Sequence, residues 1–308
     1  MSILITGSEG VIGRRLVKLL TGVSESRIIT MDRIPSENLF YWIADITHPE
    51  TLHNVFSQLT DTVFHLAASV GREASEIWAG VALRANVEGT QHIIDLCIEH
   101  DSRLVYVSTS EVYGDAFLDS VVDESTPIGR HLGIYGLSKY MGEELVRLAV
   151  DRRGLDAVIL RPFMCYSEDE PLLRTRSAIA RMMKQVLAGE PLTVHRGSER
   201  SWCYVDDIVK GMIAVGLSEL KGVYNVGRDD PASMEQVANT LNDVAHSISG
   251  VEVVDMPDGI YPVKRASFDK LERNTGFKAG IDLRTGLNCV VAHHMPLYER
   301  YEPRGRMQ

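Results

Sequence analysis

Met1 to Gly13 reads MSILITGSEGVIG, and this stretch decides the fold. A short apolar run ends in Thr6 and Gly7, followed by Gly10 and Gly13, so a strand stops at a turn with no room for ordinary side chains. Beyond it Val11, Ile12, Leu16, Leu19 and Leu20 recur at helical spacing. Strand, glycine turn and helix in that order predict an anion site. The helix start offers unpaired N–H groups and the positive end of its dipole, and the glycines let a pyrophosphate lie against the backbone. The spacing is Gly-x-x-Gly-x-x-Gly, not the Gly-x-Gly-x-x-Gly of the best-known dinucleotide turn. Taken alone, the motif therefore also suits a tight turn with no ligand.

The next segments fall where a dinucleotide fold needs them. Arg27 to Met31 is a second apolar run, closed by Asp32 nineteen positions after Gly13. An acid at the end of the second strand accepts the adenosine ribose hydroxyls and repels a 2′-phosphate, which favours NAD over NADP. Arg33 beside it could instead pair with that phosphate. A third strand ends in Asp45 and Ile46; Asp45 either reaches the adenine edge or caps the turn before His48. Val63 to Ala68 is a fourth strand whose small end, Leu66, Ala67 and Ala68, admits a cofactor closely. His65 within it reads as a packed core histidine.

The composition bounds the class. The 308 residues carry a formal net charge of −10 and are 44% hydrophobic, which fits a soluble globular chain and argues against a nucleic-acid partner. With no apolar run long enough for a membrane span and no basic-then-apolar leader pattern, neither a membrane span nor secretion is expected. The cysteines, Cys97, Cys165, Cys203 and Cys289, are scattered without a Cys-x-x-Cys pair. That argues against a metal site and suits a reducing, cytoplasmic compartment.

Strand and amphipathic helix alternate to about Arg161, predicting a Rossmann-type α/β fold, a doubly wound parallel sheet covered on both faces. Residues 1–162 are expected to form the NAD-binding domain with the catalytic pair. Residues 163–308 are expected to form mainly a smaller α/β substrate-binding lobe, with the chain free to cross back to the first domain. In that lobe helices are predicted over 177–187, 207–217 and 234–245, with strands near Thr193, Val223 and Val253.

Tyr135-Gly136-Leu137-Ser138-Lys139 sets a phenol and an ammonium one helical turn apart. It follows a strand ending in Ser108-Thr109-Ser110-Glu111, at the carboxyl edge of the predicted sheet. A tyrosine of ordinary pKa is a poor base at neutral pH. A neighbouring Lys139 ammonium and an oxidised nicotinamide favour its phenolate, which then takes a proton from a substrate hydroxyl as hydride leaves. Thr109 is placed to bond the same oxygen, and Lys139 also to bond the nicotinamide ribose.

TGSEGVIG at 6–13, Asp32, HLAA at 65–68, NVEGT at 86–90, STSEVYG at 108–114, YGLSK at 135–139, LRP at 160–162 and RSWCYVDD at 200–207 follow in order. Together they resemble the extended short-chain dehydrogenases of the NAD-dependent epimerase/dehydratase group, which modify nucleotide sugars. The resemblance spans essentially the whole chain. It implies a tightly held NAD that oxidises a sugar carbon, usually C4, and returns the hydride later. It also implies a nucleotide-sugar substrate, no metal, and a homodimer packed through two long helices of the first domain. Asn86 carries over as a cofactor-binding residue near the active-site end of its helix, and Pro162 as part of the cofactor wall. Ser69 and Arg200 carry over to the substrate side, Arg200 towards a phosphate or acid group.

Glu111 bears on which reaction follows. A 4-keto sugar has an acidified C5–H that a carboxylate can remove. Thr109-Ser110-Glu111 resembles the pattern of glucuronate decarboxylases and of GDP-mannose dehydratases. Chemistry through C5 (dehydration, decarboxylation or C5 inversion) is therefore favoured over simple C4 epimerisation. A net dehydrogenase of a non-nucleotide substrate is the further alternative. The group's Arg-Pro-x-Asn is here Arg161-Pro162-Phe163-Met164, so Met164 replaces an amide expected to face the diphosphate. Arg174, Arg176 and Arg265 are the candidate compensating or nucleotide-contacting cations.

Overall fold

The computed structural model describes residues 1–23, 25–56, 60–118, 121–131, 133–173, 176–256 and 261–301. The first half alternates as expected: β1 (Ser2–Thr6), α1 (Val11–Val23), β2 (Arg27–Asp32), β3 (Tyr41–Ile43), α2 (Pro49–Phe56) and β4 (Thr62–His65). Helices α3 (Arg72–Ile77), α4 (Ala79–Leu83) and α5 (Gly89–Glu99) follow, with a π-helical turn at Arg84–Glu88. Then come β5 (Arg103–Val107), α6 (Ile134–Arg153) and β6 (Ala157–Pro162). The second half is built of shorter pieces: β7 (Cys165–Tyr166), α7 (Ala178–Ala188), β8 (Leu192–His195), β9 (Glu199–Ser201), β10 (Cys203–Tyr204), α8 (Val205–Gly216) and β11 (Gly222–Val226). It ends with β12 (Pro231–Ser233), α9 (Met234–Ala245), β13 (Val251–Val254), β14 (Val263–Lys264), α10 (Asp269–Thr275) and α11 (Leu283–Tyr301).

Seven strands form one parallel sheet in the order β11-β6-β5-β4-β1-β2-β3. Its strands are nearly continuous apolar runs because helices bury both faces. Along β1 the side chains alternate between two cores: Ile3 and Ile5 pack with Leu16, Leu20 and Met212, while Leu4 packs with Ile29, Val63 and Ile93. The chain winds one way from β1 to β2 and β3, and the other way through β4, β5 and β6. Ligands in such sheets bind at the carboxyl ends beside that reversal. The sheet is completed by β11, which pairs with β6 after the chain has made several elements of the second half.

Those elements pair locally. β7 lies parallel to β10, β8 to β13, and β9 sits between antiparallel β12 and parallel β14. The helices expected near 177, 207 and 234 occur as α7, α8 and α9. Arg15 on α1 pairs with Glu168 and Asp206, a buried ionic link between the halves. A second seam is aromatic, where Tyr113 and Phe117 meet Phe163, Tyr261 and Phe268. It fixes the 3₁₀ segment Ser110–Leu118 that carries Glu111. Among the described residues no helix is long and apolar enough to cross a membrane.

Candidate active site

A cleft of about 1590 Å³ opens at the carboxyl edge of the sheet, between the halves. One end is walled by Gly7, Gly10, Val11, Ile12, Gly13, Asp32, Arg33, Asp45, Ile46, Leu66, Ala67, Ala68 and Pro162. The glycine turn is sterically determined. Gly7 has φ +72°, and a Cβ there would stand 2.6 Å from Ala67 N. A Cβ on Gly13 would stand 2.9 Å from Ser8 Cα and closer still to the Gly7 carbonyl oxygen. Packing this tight leaves the first turn of α1 bordering the cleft through backbone. The Asp32 carboxylate accepts the N–H of Glu9 at 3.0 Å and of Arg33 at 2.7 Å, which fixes it beside the turn. Asp45 accepts both the N–H and the hydroxyl of Thr47, at 2.9 and 2.8 Å, so it caps its turn while still bordering the cleft. This donor set fits a dinucleotide: backbone for the pyrophosphate, a fixed acid for the ribose, small residues for the ring. His65 is core, between Thr6 at 2.8 Å and Thr90 at 3.3 Å.

The predicted catalytic residues meet midway along the cleft. Thr109, Ser110, Glu111, Tyr135 and Lys139 all line it. The helix carrying Tyr135 approaches the Glu111 loop closely enough that a Cβ on Gly136 would lie 2.6 Å from the Glu111 carbonyl oxygen. Burial pushes the Tyr135 phenol up to about 12; a hydrogen bond with the Thr109 side chain pulls it down and the Glu111 charge pushes it further up. Burial also draws the Lys139 ammonium down to about 7, against the opposing charge of Glu143. In the protein alone, burial therefore outweighs the lysine, and the phenol is neutral near pH 7. A positive ring beside it would favour its anion.

Beyond the pair the cleft gathers charge. Glu111 is ion-paired with Lys264 of β14, a buried residue that also lines the cleft. Lys264, and the charges of Arg72 and Arg200, hold the Glu111 carboxyl below its usual range despite burial. Burial, with Arg200 and Arg72, draws Lys264 down, while Glu111 opposes. Glu111, expected as the carboxylate that works at C5, is ion-paired with a buried lysine. Lys264 itself was not singled out from the sequence, where only the basic doublet with Arg265 marks it.

Other expected residues divide. Ser69, Met164 and Arg176 border the cleft, and Arg174 lies outside the described residues. Arg200 borders it too, but its NH1 donates to the carbonyls of Glu199 and Pro262, at 2.8 and 2.6 Å, and its NH2 to that of Tyr261 at 2.8 Å. Arg265 does not line the cleft and pairs with Glu199. Asn86, expected against the cofactor, stands behind the wall in the π-helical turn. It exchanges bonds with the Ser69 backbone at 2.7 and 3.0 Å and donates to Ser138 Oγ at 2.9 Å, so it braces the catalytic helix.

Known proteins are similar to this chain in sequence and in fold. The chain is 28% identical to the uncharacterized UDP-glucose epimerase YtcB of Bacillus subtilis (strain 168), covering 97% of this chain and 99% of the other. It is 27% identical to UDP-glucuronic acid decarboxylase 3 of Arabidopsis thaliana, over 93% of this chain and 87% of that one. The structure of UDP-glucuronic acid 4-epimerase from Bacillus cereus, in complex with UDP-glucuronic acid and NAD, matches with a TM-score of 0.85 at 25% identity, covering 97% and 100% of the two chains. The model of the NAD dependent epimerase/dehydratase family matches residues 3–227. That match runs from β1 through β11, so the chain belongs to the NAD dependent epimerase/dehydratase family and its cofactor is NAD.

Proposed function

We propose that this chain decarboxylates a nucleotide-linked uronate, a UDP-uronate first among them, through a transient 4-keto sugar. The observation that carries this reading is the cluster around Glu111, whose carboxylate is ion-paired with Lys264 and feels the charges of Arg72 and Arg200. Cations gathered around one carboxylate suit a sugar that brings a carboxylate of its own. Two of the three relatives described above carry UDP-glucuronic acid in their names.

The chemistry then follows from the side chains. Tyr135 takes the proton of the C4 hydroxyl, and Thr109 donates to that oxygen as it becomes a carbonyl. NAD, when bound, supplies the acceptor for the C4 hydride and gives it back at the end. A carbonyl at C4 stands β to the C6 carboxylate, so the C5–C6 bond breaks with its electrons passing towards the C4 oxygen, and carbon dioxide leaves. C5 then needs a proton. Lys264 carries one on an ammonium made more acidic by burial and by its arginine neighbours, with Glu111 holding it in place. Dehydration fits less well, because Glu111, the carboxylate that would take the C5 proton, is already paired with Lys264. The same reading includes a homodimer. Trp78, 65% exposed, with Val81, Leu137, Met141 and Leu148, forms an uncovered apolar stripe on α4 and α6 and the residue before α4.

The test is incubation of the purified protein with UDP-glucuronate, read by mass spectrometry. A product lighter by carbon dioxide is expected. A product of unchanged mass with an inverted sugar marks 4-epimerisation of the same substrate, and loss of water marks dehydration; either result removes the decarboxylase reading.

A further inference from the structure

Behind Tyr135 and Lys139, the buried face of α6 continues one turn further to Glu143, which has no exposed surface. A carboxylate in such a place is costly unless it is neutralised. Two arginines do this. Arg161 on β6 donates from Nε to one oxygen at 2.9 Å and from NH2 to the other at 2.7 Å. Arg147, a turn further along α6, donates to that second oxygen at 2.7 Å. Arg161 is itself fixed, buried with its guanidinium 4.6 Å from the centre of the Tyr113 ring. Arg147 is a third exposed and also pairs with Glu144 on the outer side of α6, so its removal leaves both carboxylates less compensated.

Lys139 lies one turn before Glu143 and is 1% exposed. Among the described residues its ammonium has no ion-pair partner, and it stands 4.2 Å from the centre of the Tyr106 ring. The other titratable groups facing it contribute no anion. His65 on β4 is held neutral by burial, drawn down to about 3. The Tyr106 phenol on β5 is pushed up by burial, as is that of Tyr135 on α6 itself. Glu143 is left as the negative charge acting on Lys139.

We propose that Glu143 is a positioning residue that keeps buried Lys139 protonated, and that Arg147 trims the strength of that effect. The proposal rests on the reading that Lys139 works beside Tyr135. Only the charged form of the lysine can favour a phenolate next to it, so its proton must survive burial at working pH. The bidentate bond from Arg161 holds the carboxylate in place. The bond from Arg147 drains part of its field.

The two arms have opposite signs. Removing the carboxylate charge destabilises the ammonium; removing the Arg147 cation stabilises it. The measurement is an NMR titration of the full chain labelled at lysine Cε, with the Lys139 signal assigned by its loss in Lys139→Met. No substrate is needed. Glu143→Gln is expected to move the Lys139 midpoint to lower pH by about one unit, and Arg147→Met to move it to higher pH by a few tenths. Should Glu143→Gln fail to fold around an unpaired Arg161, the upward shift in Arg147→Met alone carries the test. Midpoints that coincide with the parent, or a downward shift in Arg147→Met, overturn the proposal. Shifts without decarboxylation would sink the uronate reading alone, and decarboxylation without shifts would sink this one alone.

Discussion

The two walls of the cleft are made by different means. On the cofactor side the shape is backbone: Gly7 and Gly13 sit where a methyl group would collide with neighbouring main chain. On the substrate side the shape is side-chain charge: Glu111 on Lys264 and Arg200 on three carbonyls. A backbone wall admits one ligand shape and changes little with neighbouring substitutions. A charge-paired wall can be retuned by altering one partner. The first suits a cofactor common to a family, and the second suits substrates that differ among its members.

The largest expected effect lies at the seam of the two walls. Tyr135→Phe removes the group that takes the C4 proton and should lower turnover by about 10³-fold, with NAD still retained, as read by steady-state rates and nucleotide released on denaturation. Loss of NAD together with activity would show instead that the phenol belongs to the cofactor wall. Next comes the backbone wall. Gly13→Ala should cost about 3 kcal/mol of stability and release the cofactor, seen as a lowered Tm and empty protein. Retention of both would break the contrast drawn here. Lys264→Met probes the charged wall: about 10²-fold slower formation of the decarboxylated product is expected, with a lowered Tm, since Glu111 loses its ion-pair partner. The smallest effect is a gain. Met164 holds φ +36°, a left-handed conformation that asparagine adopts more readily than methionine. Met164→Asn should stabilise by about 1 kcal/mol in thermal denaturation and restore an amide to the cleft.

The same contrast explains what the sequence made legible. Glycines spaced around a turn, an acid closing the second strand, and a tyrosine and lysine one turn apart are local patterns. Each records a steric or geometric demand within a few residues, so the parallel sheet and the cofactor wall could be read directly. The partner of Glu111 could not. Lys264 is 153 positions away, and its arrival depends on β14 pairing with β9. Arg200 and Arg265 looked alike as candidate anion binders, yet one is bonded to backbone carbonyls and the other to Glu199 outside the cleft. An arginine carries no local mark of what its guanidinium will meet. Asn86 was placed at the right end of its helix, but its side chain turns to Ser69 and Ser138, a choice made by the π-helical turn around it.

The late arrival of β11 in the main sheet bears on how the chain is made. A ribosome that has released residues up to Pro162 has produced six of the seven strands, with β6 as a bare edge whose Leu160 and Ile159 belong to the interior of the finished molecule. Such an edge invites pairing with another nascent chain. The protection comes only after Val226 has emerged, so the first part of the smaller half must be synthesised before the larger one is sealed. Slow translation between those two points should therefore favour aggregation, and a chain cut short after β6 should be insoluble.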